Sequence, residues 1–528
     1  MNIKIKNTTL LYCIISIQVV IILYYCNRKS GFFIDELWTY NLSNSFYFPL
    51  LHNIGDLLNK WLPQSFWIES LTASPDHTFE YGSVIYNQTK DVHPPLYYFV
   101  IHTICSFFPG VLSKWHGIMP NVIFFIITQI LIYKIASFFF KDSHYTLLPC
   151  IIYGFCVGCI NSVLFIRMYS MLTLISIYCM YINLNIIYKE KQTYKDMLFI
   201  FISYLIGILT HYYFIIFSFF MSFFVLLIFI IKKNIRHAII YSIAPIMSVL
   251  CSLLVWPSLI SHIFYDYRGE EAFKNAATSS IIDRFFSFIN ICDNDVYIKY
   301  YIFVFFTILS YFILSKFIKI KKNNQAVSLQ FKIESFNIEL YINNNFLAIT
   351  YILCSTFFTF LLISKVAAFT NSRYIMYLYP SINIIISIFL IKICKLITDK
   401  FAICLLIVSI SIIPNLQTKN IEYLYKIDKP LNKLLLESTP RRDFVAITGY
   451  DNWWPSVQMT KFFINSEKTY ITAENNLTIP KISNGTILYI ARTCKNKNLI
   501  NKIMSETGMH RYKKIYTEWH GDIYELLK

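Results

Sequence analysis

Residues 197–231 read MLFIFISYLIGILTHYYFIIFSFFMSFFVLLIFII, 35 positions with hardly a polar side chain. As a single helix this run would be about 52 Å long at 1.5 Å per residue, against a bilayer core of about 30 Å. It therefore predicts two membrane spans turning near Thr210-His211-Tyr212. Working outward, apolar runs of crossing length fall at 8–26, 118–139, 145–163, 168–188, 238–260, 297–315, 346–363 and 374–391. A weaker run covers 401–416 and ends at Pro414-Asn415. Composition agrees. The 528 residues are 56% hydrophobic and 15% charged, whereas soluble domains carry about 25% charge. That deficit excludes a soluble protein of this size, and the same composition excludes a disordered chain, a collagen-like repeat or a small disulfide scaffold.

The formal charge is +17, from 47 Lys+Arg against 30 Asp+Glu. Position decides what that surplus means. Residues 95–112 are apolar but interrupted by His102, Pro109 and Gly110. With the amino terminus inside and 95–112 not crossing, 17 basic residues fall on the inside, against 6 in the later short outside loops. Those six are Arg167, Arg268, Lys274, Arg284, Lys365 and Arg373. This is the positive-inside pattern. If 95–112 crossed, every later loop would change sides and the bias would reverse. The segment is therefore predicted as a juxtamembrane or re-entrant helix on the outer face. The count is then about eleven spans in a polytopic α-helical membrane protein. The basic residues form small clusters along one face rather than a stripe, so no nucleic-acid partner is expected. The run 8–26 lacks the small-residue cleavage pattern of a signal peptide, which predicts an uncleaved first helix with a cytoplasmic amino terminus.

The resulting organisation is a transmembrane domain over 1–416 and a small extracytoplasmic α/β domain over 417–528. The first outer loop covers 27–94 and the second 261–296. In the terminal domain the pattern predicts strands at 443–448 and 486–492, a helix at 497–508, and a hairpin over 513–527 turning at His520-Gly521. Most of the 13 cysteines lie in apolar runs, where Cys serves as a small hydrophobe. Cys156 and Cys159 have CxxC spacing but no second pair to complete a metal site.

Chemistry gathers on the outer face. Asp35-Glu36 sits in GFFIDELWTY (31–40). Charge beside so many apolar neighbours is costly unless used or paired, although acids also favour a helix start. Asp91-Val-His93-Pro94-Pro95 closes the first loop. Its prolines fix the entry of the next helix. A carboxylate and an imidazole two apart can share a metal, orient an acceptor or act as acid and base, and the same residues also suit a plain Pro-capped turn. Arg167-Met-Tyr169-Ser170, His211 and Arg373-Tyr374 fall at outer span ends. A lone Arg there would simply snorkel to headgroups, whereas the set suits a phosphate-bearing lipid and a reacting hydroxyl. Trp453-Trp454 could stack on sugar rings or pack a core.

Taken in order, the acidic pair after the first span, His93-Pro-Pro-Leu-Tyr-Tyr98, Arg167-Met-Tyr-Ser170, His211-Tyr-Tyr213 and Arg373-Tyr374 resemble the GT-C glycosyltransferases. Within these the chain is similar to the protein O-mannosyltransferase and lipid A aminoarabinose transferase group (glycosyltransferase family 39-like), over about residues 1–390. The resemblance implies a GT-C type fold and a sugar donor carried on a polyprenyl phosphate. It implies a protein or glycolipid acceptor outside the membrane. It makes Asp35 the catalytic or metal-binding carboxylate and puts Asp91 in the active site with His93 beside it. The aminoarabinose transferases carry Lys where this chain has His93, so the match leans toward the mannosyltransferase-like pattern. On this reading Asp35, with Glu36, Asp91 and His93, serves proton transfer at the acceptor hydroxyl, with inversion at the sugar. Arg167, Tyr169, His211, Arg373 and Tyr374 would hold the lipid phosphate. No obligatory cofactor is expected, and a divalent metal shared by Asp35, Asp91 and His93 is compatible with the residues. With 13 glycines in 528 residues, a Gly-rich nucleotide loop is hardly available. The rival function is a lipid or glycan transporter or flippase. That would favour ionisable residues in mid-membrane and two matching halves. Here the charges gather at span ends and no repeat is visible. A catalytically silent scaffold would have no need of Asp35, Asp91 and Arg167.

Overall fold

The computed structural model describes residues 6–528 apart from 142, 190–191, 297–327, 334–335, 342, 398–400, 403–404, 406–408, 410–415, 418–419, 426–427, 450–453 and 497. In chain order the elements used below are α1 (Asn7–Arg28), α2 (Ile34–Asn44), β1 (Trp61–Pro63), α3 (Leu96–Ser106), α4 (Trp115–Phe140), α5 (Leu148–Phe155), α6 (Val157–Leu164), α7 (Tyr169–Tyr188), α8 (Tyr194–Thr210), α9 (Tyr213–Ile231), α10 (Ile235–Val255), α11 (Ser258–Phe264), α12 (Tyr267–Thr278) and α13 (Ile281–Val296). There follow β2 (Ser328–Ile333), β3 (Phe336–Tyr341), α14 (Asn344–Val366), α15 (Tyr379–Ile397), β4 (Phe444–Thr448), β5 (Lys468–Ala473), β6 (Ile487–Ala491), α16 (Leu499–Thr507), β7 (Arg511–Glu518) and β8 (Gly521–Leu527). They fall into two compact units. One holds Met1–Asn27, Val92–Leu96 and Ile118–Glu422, the other Arg28–Asp91, Tyr97–Gly117 and Tyr423–Lys528.

The first unit is a helical membrane body. Among the described residues six helices are long and apolar enough to cross a bilayer (α1, α4, α7, α9, α10 and α14), and a bent pair makes a seventh. The eleven spans expected from the sequence are not all visible. The run 297–315 and most of 401–416 lie outside the described residues. The run 197–231 divides into α8 and α9, which break at His211 and Tyr212. The run 145–163 is not one straight span. The segments His144–Phe155 and Val157–Leu164 meet at 57°, because Cys156 adopts extended backbone (φ −75°, ψ 149°) and its Sγ caps α6 by accepting from the Cys159 amide. The CxxC pair is thus a helix joint. The run expected at 238–260 stops early, α10 ending at Val255. Trp256 precedes Pro257, and the residue before proline is disfavoured in the α region. The segment expected as a second outer loop is itself helical, as α11, α12 and α13.

Helix packing in this unit uses small and polar residues, as expected where lipid removes the hydrophobic drive between helices. The buried face of α10 is Ala238, Tyr241, Ala244, Ser248 and Ser252, and Ser248 Oγ donates to the Phe201 carbonyl of α8 (2.9 Å). Asn183 of α7 donates to Tyr204 Oη (3.0 Å) and accepts from Tyr241 Oη (2.9 Å), linking three helices. Nearly every side of α7 is buried, and it is the central helix of the body.

In the second unit the strands form one six-stranded sheet in the order β1-β5-β4-β6-β8-β7. The central strand β4 (FVAIT) is buried along its length and runs parallel to β5 and β6. β8 is antiparallel to β6 and forms a hairpin with β7. One face packs Val445, Ile447, Tyr470, Leu488 and Leu526 against Leu499 and Ile503 of α16. That helix ends on Gly508 in the left-handed region (φ 67°), where glycine has no Cβ penalty. The first strand comes from the first loop, with Trp61 opposite Tyr470, and Trp67 Nε1 donates to Thr469 Oγ1 (2.7 Å). Loop and terminal region are therefore one folded body. α3 belongs to the same unit. Its 11 residues measure about 16 Å, half of a bilayer core.

Candidate active site

The structure distributes the chemistry-bearing residues between the two units. Within the membrane body, His93, Arg167, Tyr169, His211, Arg373 and Tyr374 form one continuous cluster. Arg167 is only 5% exposed and lies in the connection between α6 and α7. Asn121 Nδ2 fixes this connection by donating to the carbonyls of Val163 (3.2 Å) and Phe165 (3.0 Å). The Arg167 guanidinium lies 3.3 Å from His93 Nε2. Rings then follow in sequence, His93 against His211 (centroids 6.1 Å), Tyr169 against His211 (5.7 Å), His211 against Tyr213 (5.1 Å) and Tyr213 against Tyr374 (5.5 Å). Arg373 closes the series. Its guanidinium lies 5.1 Å from the Tyr374 ring centre, and its backbone N–H donates to Asn371 Oδ1 (3.0 Å).

His211 sits in the turn between α8 and α9, buried, with Nδ1 accepting from the Tyr213 amide (3.0 Å). Its pKa lies well below the usual imidazole value. Burial is the largest cause, and His93, Arg167 and Arg373 add to it by repelling a further positive charge. The ring stays neutral while the fixed guanidiniums carry the charge. Such a set of fixed donors and aromatic walls can receive a phosphate.

Two carboxylates of this unit escaped the sequence reading. Asp295, at the end of α13, accepts from Tyr379 Oη. Burial pushes its pKa up to about 7, the Tyr379 hydrogen bond opposes this, and nearby Glu422 adds to it. Glu422 is also raised by burial, with Arg373 opposing, and its amide donates to Asn161 Oδ1 (3.0 Å). Asp295 ends an amphipathic helix two residues after Asp293, and nothing in that spacing marks it as a motif.

Within the second unit, Asp35 and Glu36 occupy the first turn of α2 and have different surroundings. Glu36 is fully buried. Its Oε1 pairs with Lys29 Nζ (2.9 Å), the side chains of both being 0% exposed, and Oε2 accepts the Phe33 amide (2.8 Å). Lys29 Nζ also donates to the Tyr423 carbonyl (2.8 Å) and lies over the Tyr425 ring. Glu36 therefore anchors the helix start. Asp35 is half-buried, and its backbone carbonyl accepts from Thr39 Oγ1 (3.0 Å). Asp91 is also half-buried and lies 3.4 Å from Tyr98 Oη. One turn beyond Asp35, Trp38 stacks on Trp454 (6.1 Å, 22°); Trp453 lies outside the described residues. Among the described residues no three His, Cys, Asp or Glu side chains stand so as to hold a metal ion.

No protein-family model and no curated protein matches the sequence. Among solved structures, the chain is similar to ArnT from Cupriavidus metallidurans in the apo state. The TM-score is 0.51 at 8% identity, with 98% of each chain covered. It is also similar to the archaeal oligosaccharyltransferase AglB from Archaeoglobus fulgidus, in complex with an inhibitory peptide and a dolichol-phosphate. There the TM-score is 0.39 at 11% identity, covering 91% of this chain and 69% of that one. The ArnT match extends over the whole chain and shows a shared fold. The likeness is one of fold.

Proposed function

We propose that this protein is an integral-membrane glycosyltransferase that moves a sugar from a polyprenyl-phosphate donor to an acceptor hydroxyl at the outer face, with inversion. The observation that carries the reading is the His93–Arg167–His211–Arg373 cluster, in which two fixed guanidiniums and aromatic rings make a receptor for a phosphate. An apolar groove in the same unit supports a lipid donor. It is lined by Phe285, Ile289, Leu353, Phe357, Phe360 and Ile385, from α13, α14 and α15, and matches a polyprenyl tail in polarity.

In the reaction Asp35 takes the proton from the acceptor hydroxyl, and the oxygen forms the new bond to the anomeric carbon. The bond from that carbon to the phosphate oxygen breaks, and its electron pair leaves with the polyprenyl phosphate. Phosphate is already a good leaving group, so it needs charge stabilisation more than protonation. Arg167 and Arg373 supply that stabilisation as preorganised cations, with Tyr169, His211 and Tyr374 fixing their positions. Asp91 and His93 orient the acceptor and the donor phosphate. Glu36 positions the α2 turn that carries Asp35.

The test is a strain carrying Asp35→Asn in place of the wild-type gene. Removing the base is expected to lower transfer about 10²–10⁴-fold and to make a polyprenyl-phosphate sugar accumulate in the membrane, as read by lipid mass spectrometry. Wild-type donor levels and wild-type transfer in Asp35→Asn would overturn the assignment. Unchanged donor levels after deletion of the whole gene would favour transport over transfer.

A further inference from the structure

The turn that follows α3 reads Phe107-Phe108-Pro109-Gly110-Val111 and has no part in the chemistry above. Phe107, Phe108 and Val111 are 68%, 53% and 52% exposed. A turn that faces water draws on Asn, Asp and Ser as well as Gly and Pro. This one carries no polar side chain, and no Asp, Glu, Lys or Arg occurs between positions 94 and 113. α3 itself is packed within its unit, burying Tyr97, Tyr98, Ile101, His102 and Cys105. The apolar surface is therefore the tip and not the helix. Phe79 enlarges it. Its ring is 42% exposed and meets Phe107 edge-on (centroids 5.2 Å). The Phe79 backbone lies in the left-handed region (φ 58°), an outlier for a bulky residue. Its N–H donates to Ser106 Oγ (2.9 Å) at the end of α3, and strain of this kind persists only where the surroundings impose it.

Two features point to what covers this surface. The first is the backbone of the turn. The amide of Phe107 donates to the Ile104 carbonyl (3.2 Å), Phe108 to Cys105 (2.9 Å), Gly110 to Ala73 (2.9 Å) and Val111 to Phe108 (3.3 Å). Pro109 has no N–H to place. A turn in water can leave such donors to solvent, whereas hydrocarbon requires each to be satisfied from within. The second feature is reach. Val111 stands four residues before Trp115, the first residue of the crossing helix α4, so at most about 14 Å of extended chain separates the two. We infer that residues 107–111 and Phe79 form an apolar wedge that dips into the acyl region of the leaflet beside the start of α4. Trp115 is of the residue type enriched at the headgroup level just above that depth. Asp35 belongs to the same folded unit as the wedge, so the wedge ties the body that carries this carboxylate to the lipid surface.

The test uses the purified full chain in liposomes of phosphatidylethanolamine and phosphatidylglycerol. The photoreactive residue p-benzoylphenylalanine takes the place of Phe107, Phe79 or Lys502, one at a time. Lys502 is the comparison, on the charged outer side of α16 beside Glu506. After irradiation, mass spectrometry of the intact protein reads whether the ring has joined a phospholipid. Phospholipid adducts are expected at 107 and 79 and not at 502. With Phe107→Glu and Phe108→Glu added, the adduct at 79 should be lost, because charge in hydrocarbon is costly and moves toward water. The melting temperature of that variant should stay at the wild-type value, since both rings it removes are exposed. Adduct yields at 107 or 79 no higher than at 502 overturn the inference, as do adducts that join two protein chains in place of lipid. None of these readouts involves sugar transfer, so a failure here removes the wedge and leaves the transferase reading standing.

Discussion

Asp35 and Glu36 are adjacent, and the local environment gives them opposite uses. Glu36 and Lys29 are both sealed from solvent and paired at 2.9 Å, so removing one charge strands the other. Breaking a buried pair costs about 3–5 kcal/mol. Glu36→Gln keeps an acceptor for the Phe33 amide and leaves Lys29 without its countercharge. It is expected to lower the melting temperature markedly, whereas Asp35→Asn should melt with the wild type. Equal melting of the two variants would contradict the division of labour. His211 gives a pH signature of the same kind. Its folded pKa lies below the unfolded value of about 6.5, so at low pH the unfolded chain binds a proton that the folded chain refuses. Stability then falls as pH drops below about 6.5 and is unaffected by this group above it. In His211→Gln that part of the slope should vanish from melting curves taken between pH 5 and 8. An unchanged slope would show that His211 is not the titrating group.

At the scale of elements, the hairpin α8–α9 depends on close approach. A methyl group added at Gly207 would drive into the Phe214 ring of the partner helix. Gly207→Val is therefore expected to destabilise the protein by about 1–3 kcal/mol through overpacking, read as a lower melting temperature in detergent. Wild-type melting would mean that the two helices can part at no cost. This hairpin was legible in the sequence, because 35 apolar residues cannot form one span. The strands β4 and β6, the hairpin β7–β8 and the helix α16 were legible too, since their alternation and turn residues are local. Two strands were not. β5 (KTYITA) carries only weak alternation, and β1 is three residues long and becomes a strand only by pairing with β5 some 400 positions later. The bend at Cys156 was hidden for a related reason. Its run is apolar throughout, and apolarity shows the presence of a span but not its straightness. In the candidate site, Arg167, His211 and Arg373 were legible as ionisable residues at span ends. Asp295 and Glu422 were not, since their interest lies in burial and in neighbours far along the chain. Glu36 was legible as an acid, but the Lys29 partner that fixes its role appears only in three dimensions.

For the whole molecule, the pairing of β1 with β5 has a topological consequence. Residues 61–63 and 468–470 lie on one side of any membrane, so the chain between them crosses an even number of times. The eleven-span reading places ten crossings there and satisfies this. If 401–416 alone failed to cross, nine would remain, and the sheet could not form. Reporters placed in the first loop and at the carboxyl terminus should accordingly report the same side, with a reporter after residue 190 on the opposite one. Loop and terminus on opposite sides would contradict the sheet. The +17 charge fits this picture as a determinant of direction, since it lies mainly in the loops opposite the acidic first loop. The central claim is that the chain transfers a sugar by means of Asp35. It is tested most directly by mass spectrometry of the envelope glycans in a gene-deleted strain complemented with wild type or with Asp35→Asn at matched protein levels. Glycans short of one sugar are expected in the deletion strain and in Asp35→Asn, and full-length glycans on complementation with wild type. Full restoration by Asp35→Asn would contradict the claim.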